Sequence, residues 1–98
     1  MGEILTIRQE KAPRNKSEWC EIVVRDNGKT LDMVFEGEMA EHNMKSVLGF
    51  VKSEYATYGY DAAKELMEQE CKFPPYRKCK RVELFENNEL IAKKVSAK

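Results

Sequence analysis

One histidine, three cysteines and three prolines in 98 residues leave this sequence short of the side chains that most often carry chemistry. A histidine base would have to be His42, which falls in the first turn of an expected helix with no Ser or Cys nucleophile close in sequence, and it reads as an ordinary surface residue. The cysteines, at 20, 71 and 79, are odd in number and read as reduced thiols, not a disulfide framework. A zinc site is not expected, because structural sites bring cysteines two to four residues apart and the gap between Cys71 and Cys79 holds two prolines. The five glycines are scattered at 2, 28, 37, 49 and 59, so no phosphate-cradling loop or nucleophile elbow is present. Acidic pairs such as Glu36 with Glu38 and Asp61 with Glu65 exist, but nothing selects a general acid and base from among them. Neither catalysis nor a cofactor is expected.

Charge of one sign is also missing. Lys and Arg total 17 and Asp and Glu total 17, so no global field draws the chain to nucleic acid or to a membrane surface. No apolar run exceeds a few residues, which excludes a transmembrane helix and a secretory core. The expected location is cytoplasmic. The sequon Asn15-Lys16-Ser17 then reads as a polar loop, and the Met1-Gly2…Thr6 pattern of lipidation gives way to a strand built on Ile4, Leu5 and Ile7.

What is present is periodicity. A chain of this length with 42% apolar and 35% charged residues makes a single domain, residues 1–98, with one modest core under a heavily charged surface. Its best-determined piece runs from Glu18 to Glu36 around Asp26-Asn27-Gly28-Lys29. Asn-Gly is the strongest short hairpin signal, because a type I′ turn needs positive φ at both central residues. A two-residue loop sets Val24 opposite Leu31, Ile22 opposite Met33 and Cys20 opposite Phe35, which makes one surface wholly apolar. The other surface pairs Arg25 with Thr30, Val23 with Asp32, Glu21 with Val34 and Trp19 with Glu36. Pattern and turn agree, so a register slip is not expected. Glu3 to Lys11 reads as an earlier strand.

After Gly37 the period changes. Ala40, Met44, Val47, Leu48, Val51, Tyr55 and Tyr58 fall on one face at helical spacing. Gly59 suits the position past a helix end, and Asp61 suits the N-cap of a second helix through about Cys71 with Ala63, Leu66 and Met67 inward; a single bent helix is the alternative. Pro74 and Pro75 end helical structure. Arg81 to Val95 then reads as a second hairpin about Asn87-Asn88, with Leu84 opposite Ile91 and Phe85 opposite Leu90 on the other face.

The segment Cys71 to Arg81 collects five basic side chains and no acidic one. Lys72 meets the negative pole of a helix end, and Arg77, Lys78, Lys80 and Arg81 follow beside Phe73 and Tyr76. Cations for phosphates and aromatic faces for bases make up a single-strand nucleic-acid site. The same residues would also arise where the aromatics plug a core and the cations solvate a connection. A second feature is the cluster Tyr55, Tyr58 and Tyr60 together with Trp19, residue types favoured at protein interfaces.

The expected fold is α+β: a mainly antiparallel sheet of four to five strands in the order β-β-β-α-α-β-β, with two helices packed on one face. In size and layout only, this resembles the small accessory proteins that phages and mobile elements encode, which implies an inhibitor or regulator. The leading functional expectation is a non-enzymatic module that binds another protein, with homodimerisation through a strand edge compatible. The alternative is a nucleic-acid-binding module using residues 72–81. The candidate binding residues are Lys72, Tyr76, Arg77, Lys78, Lys80, Arg81, Tyr55, Tyr58, Tyr60 and Trp19.

Overall fold

Two tight turns built on asparagine set the frame. In the computed structural model, which describes residues 2–10, 18–74 and 79–95, β1 (Glu3–Glu10), β2 (Glu18–Asp26) and β3 (Lys29–Gly37) precede α1 (Ala40–Tyr58) and α2 (Tyr60–Lys72). The chain closes with β4 (Cys79–Glu86) and β5 (Glu89–Lys93). Asn27 has φ 49°, and Asn87 and Asn88 have φ 50° and 68°, the conformations that two-residue hairpin loops demand. The five strands form one antiparallel sheet in the order β1-β2-β3-β4-β5, the α+β architecture expected.

The first hairpin has the expected register at every pair, from Trp19 opposite Glu36 to Asp26 opposite Lys29. The second needs a correction. Phe85 does face Leu90, but a bulge between Leu84 and Phe85 sets Ala92, not Ile91, opposite Leu84. One extra residue on β5 lets small Ala92 lie under the helices while Ile91 is only half-buried.

Alternation then sorts the side chains onto two faces. Cys20, Ile22, Val24, Leu31, Met33, Phe35, Val82 and Leu84 point to the helical side and are essentially inaccessible. Met44, Val47 and Val51 of α1 and Ala63, Met67 and Cys71 of α2 close the core from above. Helix α1 lies over β2 and β3, and α2 over β4 and β5. No described helix or strand crosses the other face, which carries Leu5, Ile7, Trp19, Val23, Val34 and Phe85 among charged residues.

The helical pair is two helices, not one bent one. Gly59 breaks it with φ 93° and ψ −164°, a region that only glycine enters cheaply, and its amide donates to the Tyr55 carbonyl at 3.0 Å. The N-cap of α2 is Gly59, with Asp61 inside the first turn, where its charge still complements the helix dipole. Tyr58 departs from the expected inward face: it is 73% exposed, because it occupies the last residue of α1 beyond the edge of the core. Gly37 is the other glycine the fold requires. With φ 125°, it sits where the β3–β4 register shifts, and a Cβ there would come within 2.5 Å of the Lys80 amide nitrogen.

Candidate functional site

Because every strand and both helices traverse the sheet, successive connections alternate between its two ends. The β2–β3 turn, the α1–α2 junction and the β4–β5 turn share one end. The start of α1, the end of α2 and the start of β4 share the other. The ten candidate residues therefore divide into two groups: Tyr55, Tyr58 and Tyr60 at the first end, and Trp19, Lys72, Lys80 and Arg81 at the second. Tyr76, Arg77 and Lys78 lie outside the described residues.

At the first end, the tyrosines meet the hairpin turn. Asp26, Asn27, Lys29, Tyr58, Tyr60 and Asp61 line an open cleft of about 220 Å3. Tyr60 is buried beneath it, and its hydroxyl donates to Glu86 Oε2 at 2.7 Å while Lys64 Nζ donates to Glu86 Oε1 at 2.9 Å. The Tyr60 bond, then the Lys64 bond, hold the Glu86 carboxyl below its ordinary range. Burial and the same hydrogen bond push the Tyr60 phenol up, so it stays protonated as a donor. Lys29 Nζ stands 5.1 Å from the centre of the Tyr60 ring, a cation–π contact. Tyr55 is hydrogen-bonded to Asp26, and a Cβ on Gly2 would overlap its hydroxyl, so β1 begins pressed against this tyrosine. Asn87 accepts from the Thr30 amide at 2.9 Å through Oδ1, and its own amide donates to the Thr30 carbonyl at 2.8 Å, which ties the second turn to β3. These contacts fix the walls and leave Tyr58 as an exposed aromatic on the rim.

At the second end, the expected cationic face is partly neutralised. Arg81 is gripped by two carboxylates, Nε at 2.9 Å from Glu36 Oε1 and Nη1 at 2.7 Å from Glu83 Oε1. Lys80 is exposed and Lys72 half-buried in the last turn of α2. Trp19 is half-buried opposite Glu36 on the face away from the helices. Cys71 and Cys79 are buried separately, Cys71 Sγ donating to the Val82 carbonyl at 3.5 Å and Cys79 Sγ to the Glu36 carbonyl at 3.5 Å. Burial pushes the Cys71 thiol up to about 12 and raises that of Cys79. None of the three cysteines forms a disulfide. Among the described residues no three His, Cys, Asp or Glu side chains converge as a metal site would require, and no helix is long and apolar enough to cross a membrane.

No family model, curated protein or solved structure gives a significant match to this chain. The geometry alone therefore ranks the two ends. The tyrosine end has a recess, a rigid hydrogen-bonded wall and an exposed aromatic; the other end, among its described residues, has exposed Phe73 without such a recess and dispersed cations, one of them already satisfied. Asp26, Asn27, Lys29, Asp61 and Glu86 were not singled out as site residues from the sequence. The signal available was the alternation itself: counting traverses puts the Asn27-Gly28 turn beside Tyr58 and Tyr60.

Proposed function

We propose that the protein acts without catalysis of its own, by binding another protein through the end that carries Tyr58. The observation that carries this reading is Tyr58, 73% exposed, on the rim of a cleft walled by Asp26, Asn27, Lys29, Tyr60 and Asp61. Tyrosine delivers a large contact area at the cost of two torsions, and such residues beside a recess are typical binding anchors. The wall is preorganised by the Tyr60–Glu86–Lys64 bonds, so little ordering is lost on binding. Two carboxylates, Asp26 and Asp61, beside aromatic rings suit a basic side chain of the partner, an arginine above all. A chain that only binds works by occupying or modulating its target, as an inhibitor or regulator does, and the unbridged cysteines fit action in the reducing cytoplasm.

Nucleic acid is the competing reading. Phosphates would be repelled by Asp26 and Asp61 at the tyrosine end, so it must rely on Lys72, Lys80 and their surroundings at the other. A pull-down from the native cell, with nucleic acid monitored by absorbance, separates the two. Loss of a stoichiometric protein partner on Tyr58→Ala or Asp61→Lys, with retention on Lys72→Glu plus Lys80→Glu, supports the proposal. The opposite pattern, together with an affinity that falls steeply with salt, would give the site to a phosphate backbone. A second copy of the chain, joining along the outer edge of β1, would show as a concentration-dependent dimer indifferent to Tyr58→Ala.

A further inference from the structure

The sheet face away from the helices holds an arrangement that protein binding at the tyrosine end does not use. Glu21 of β2 faces Val34, and Asp32 of β3 faces Val23, so the two acids occupy diagonal positions on the same face. Ile7 lies opposite Glu21 on β1, and Phe85 lies opposite Asp32 on β4. Val23 and Val34 are 5% and 6% exposed, and Glu21 itself only 9%. A side-chain hydrogen bond joins Glu21 to Asp32, while Asp32 Oδ1 is buried with no hydrogen-bond partner among the described residues. Two carboxyl groups can share a hydrogen bond only if one of them carries a proton.

Among the described residues, nearby cations do not relieve this. On the same face, Arg25 pairs with Glu3 at 3.7 Å, and Arg81 is held by Glu36 and Glu83. Lys93 of β5 lies opposite Glu83, three strands beyond Glu21. The remaining charged groups facing the pair, Glu36 and Glu83, are themselves acids. The helices contribute nothing, since they pack on the far side.

We propose that Glu21 and Asp32 share one proton, and that this proton is a pH-sensitive latch on the uncovered face of the sheet. While it is held, the pair carries a single negative charge and the surrounding Val23, Val34 and Phe85 pack around it. When it leaves, two like charges are forced together in a poorly solvated site, and β2 and β3 are pushed apart there. Burial first, then the Asp32 hydrogen bond and charge, push the Glu21 carboxyl up to about 7. A carboxyl raised in the folded state stabilises the fold fully below its unfolded value, and that stabilisation is lost as pH rises through the raised value. The stabilisation is therefore lost between about pH 4.5 and pH 7, and the latch itself opens as the proton leaves the folded protein near pH 7.

The test is denaturant unfolding of the full chain from pH 5 to pH 8.5, comparing the protein with Glu21→Gln, whose amide donates to Asp32 without titrating. Across this window the unfolding constant of the unsubstituted protein should rise roughly ten- to a hundredfold relative to that of the variant. Glu83→Gln, on the same face, should leave that relative rise in place. Parallel profiles for the protein and Glu21→Gln would overturn the proposal. Should Glu21→Gln not fold, carboxyl carbon shifts of the unsubstituted protein decide: a Glu21 midpoint near neutrality supports the latch, and one in the ordinary carboxylate range removes it.

Discussion

Val23 and Val24 are neighbours in the chain and differ little in exposure, at 5% and 0%, yet they belong to surfaces of different character. Val24 points at the helices in an apolar core, with Ile4 and Leu31 beside it on the two adjoining strands. Val23 points the other way and faces Asp32, with Glu21 two residues along on its own strand. Two glutamates make the same contrast. Glu86 reaches toward the helices, finds Tyr60 and Lys64, and is held below its ordinary range; Glu21 on the opposite face finds another acid and is pushed up to about 7. The helical face thus fixes the fold through packing, and the other face carries electrostatic tension that packing contains.

Substitutions can break or sharpen this contrast. The largest effect is expected for Phe35→Ala at the centre of the helical face, which should cost about 3–5 kcal/mol in urea unfolding because the cavity is ringed by rigid neighbours. Next, Val24→Ala should cost about 2 kcal/mol from two buried methyl groups and their cavity. Val23→Ala should cost about half as much, since no helix packs over it and flanking side chains can settle inward; equal costs would mean that the two faces are equally close-packed. Tyr60→Phe should cost about 1 kcal/mol at neutral pH. A depressed carboxyl stabilises above its unfolded value and loses that contribution as pH falls through the lowered one, so the gap between Tyr60→Phe and the unsubstituted protein should narrow in acid, visible in thermal melts. Arg81→Ala, whose paired side chain is still 44% exposed, should change stability by no more than about 1 kcal/mol and lose even that effect in high salt.

Much of the helical face was legible in advance. The Asn27-Gly28 turn and the alternation of Cys20, Ile22 and Val24 against Leu31, Met33 and Phe35 encode one register, and the structure has it. Strict periodicity of two and a turn of fixed length leave no alternative that keeps the apolar set together. The second hairpin was less determined because both of its faces are partly apolar, so pattern alone could not reveal the bulge that exchanges Ile91 for Ala92. Asn43 escaped notice as a core residue, being polar, yet it is fully buried with Nδ2 donating to the Met39 carbonyl at 2.8 Å. The candidate site was legible residue by residue and not as a whole. Tyr58 and Tyr60 stood out by composition, but their meeting with Asp26 and Lys29 is a long-range consequence of topology. Glu21 and Asp32 lie on opposite strands of a hairpin whose register was readable; what could not be read is how little water reaches them.

The buried cysteines give the protein three built-in reporters. Cys20 sits in β2, Cys71 at the close of α2 and Cys79 at the start of β4, each with 1% exposure or less. A thiol attacks an alkylating reagent only as thiolate and only when reached, and Cys71 and Cys79 are protected in both respects by burial. Their labelling rates in the native protein therefore clock how often particular parts of the molecule come open. Cys71 and Cys79 would time the parting of α2 and β4, whereas Cys20 would time the lifting of α1 from the sheet, resolving in one experiment which half of the helical layer gives way first.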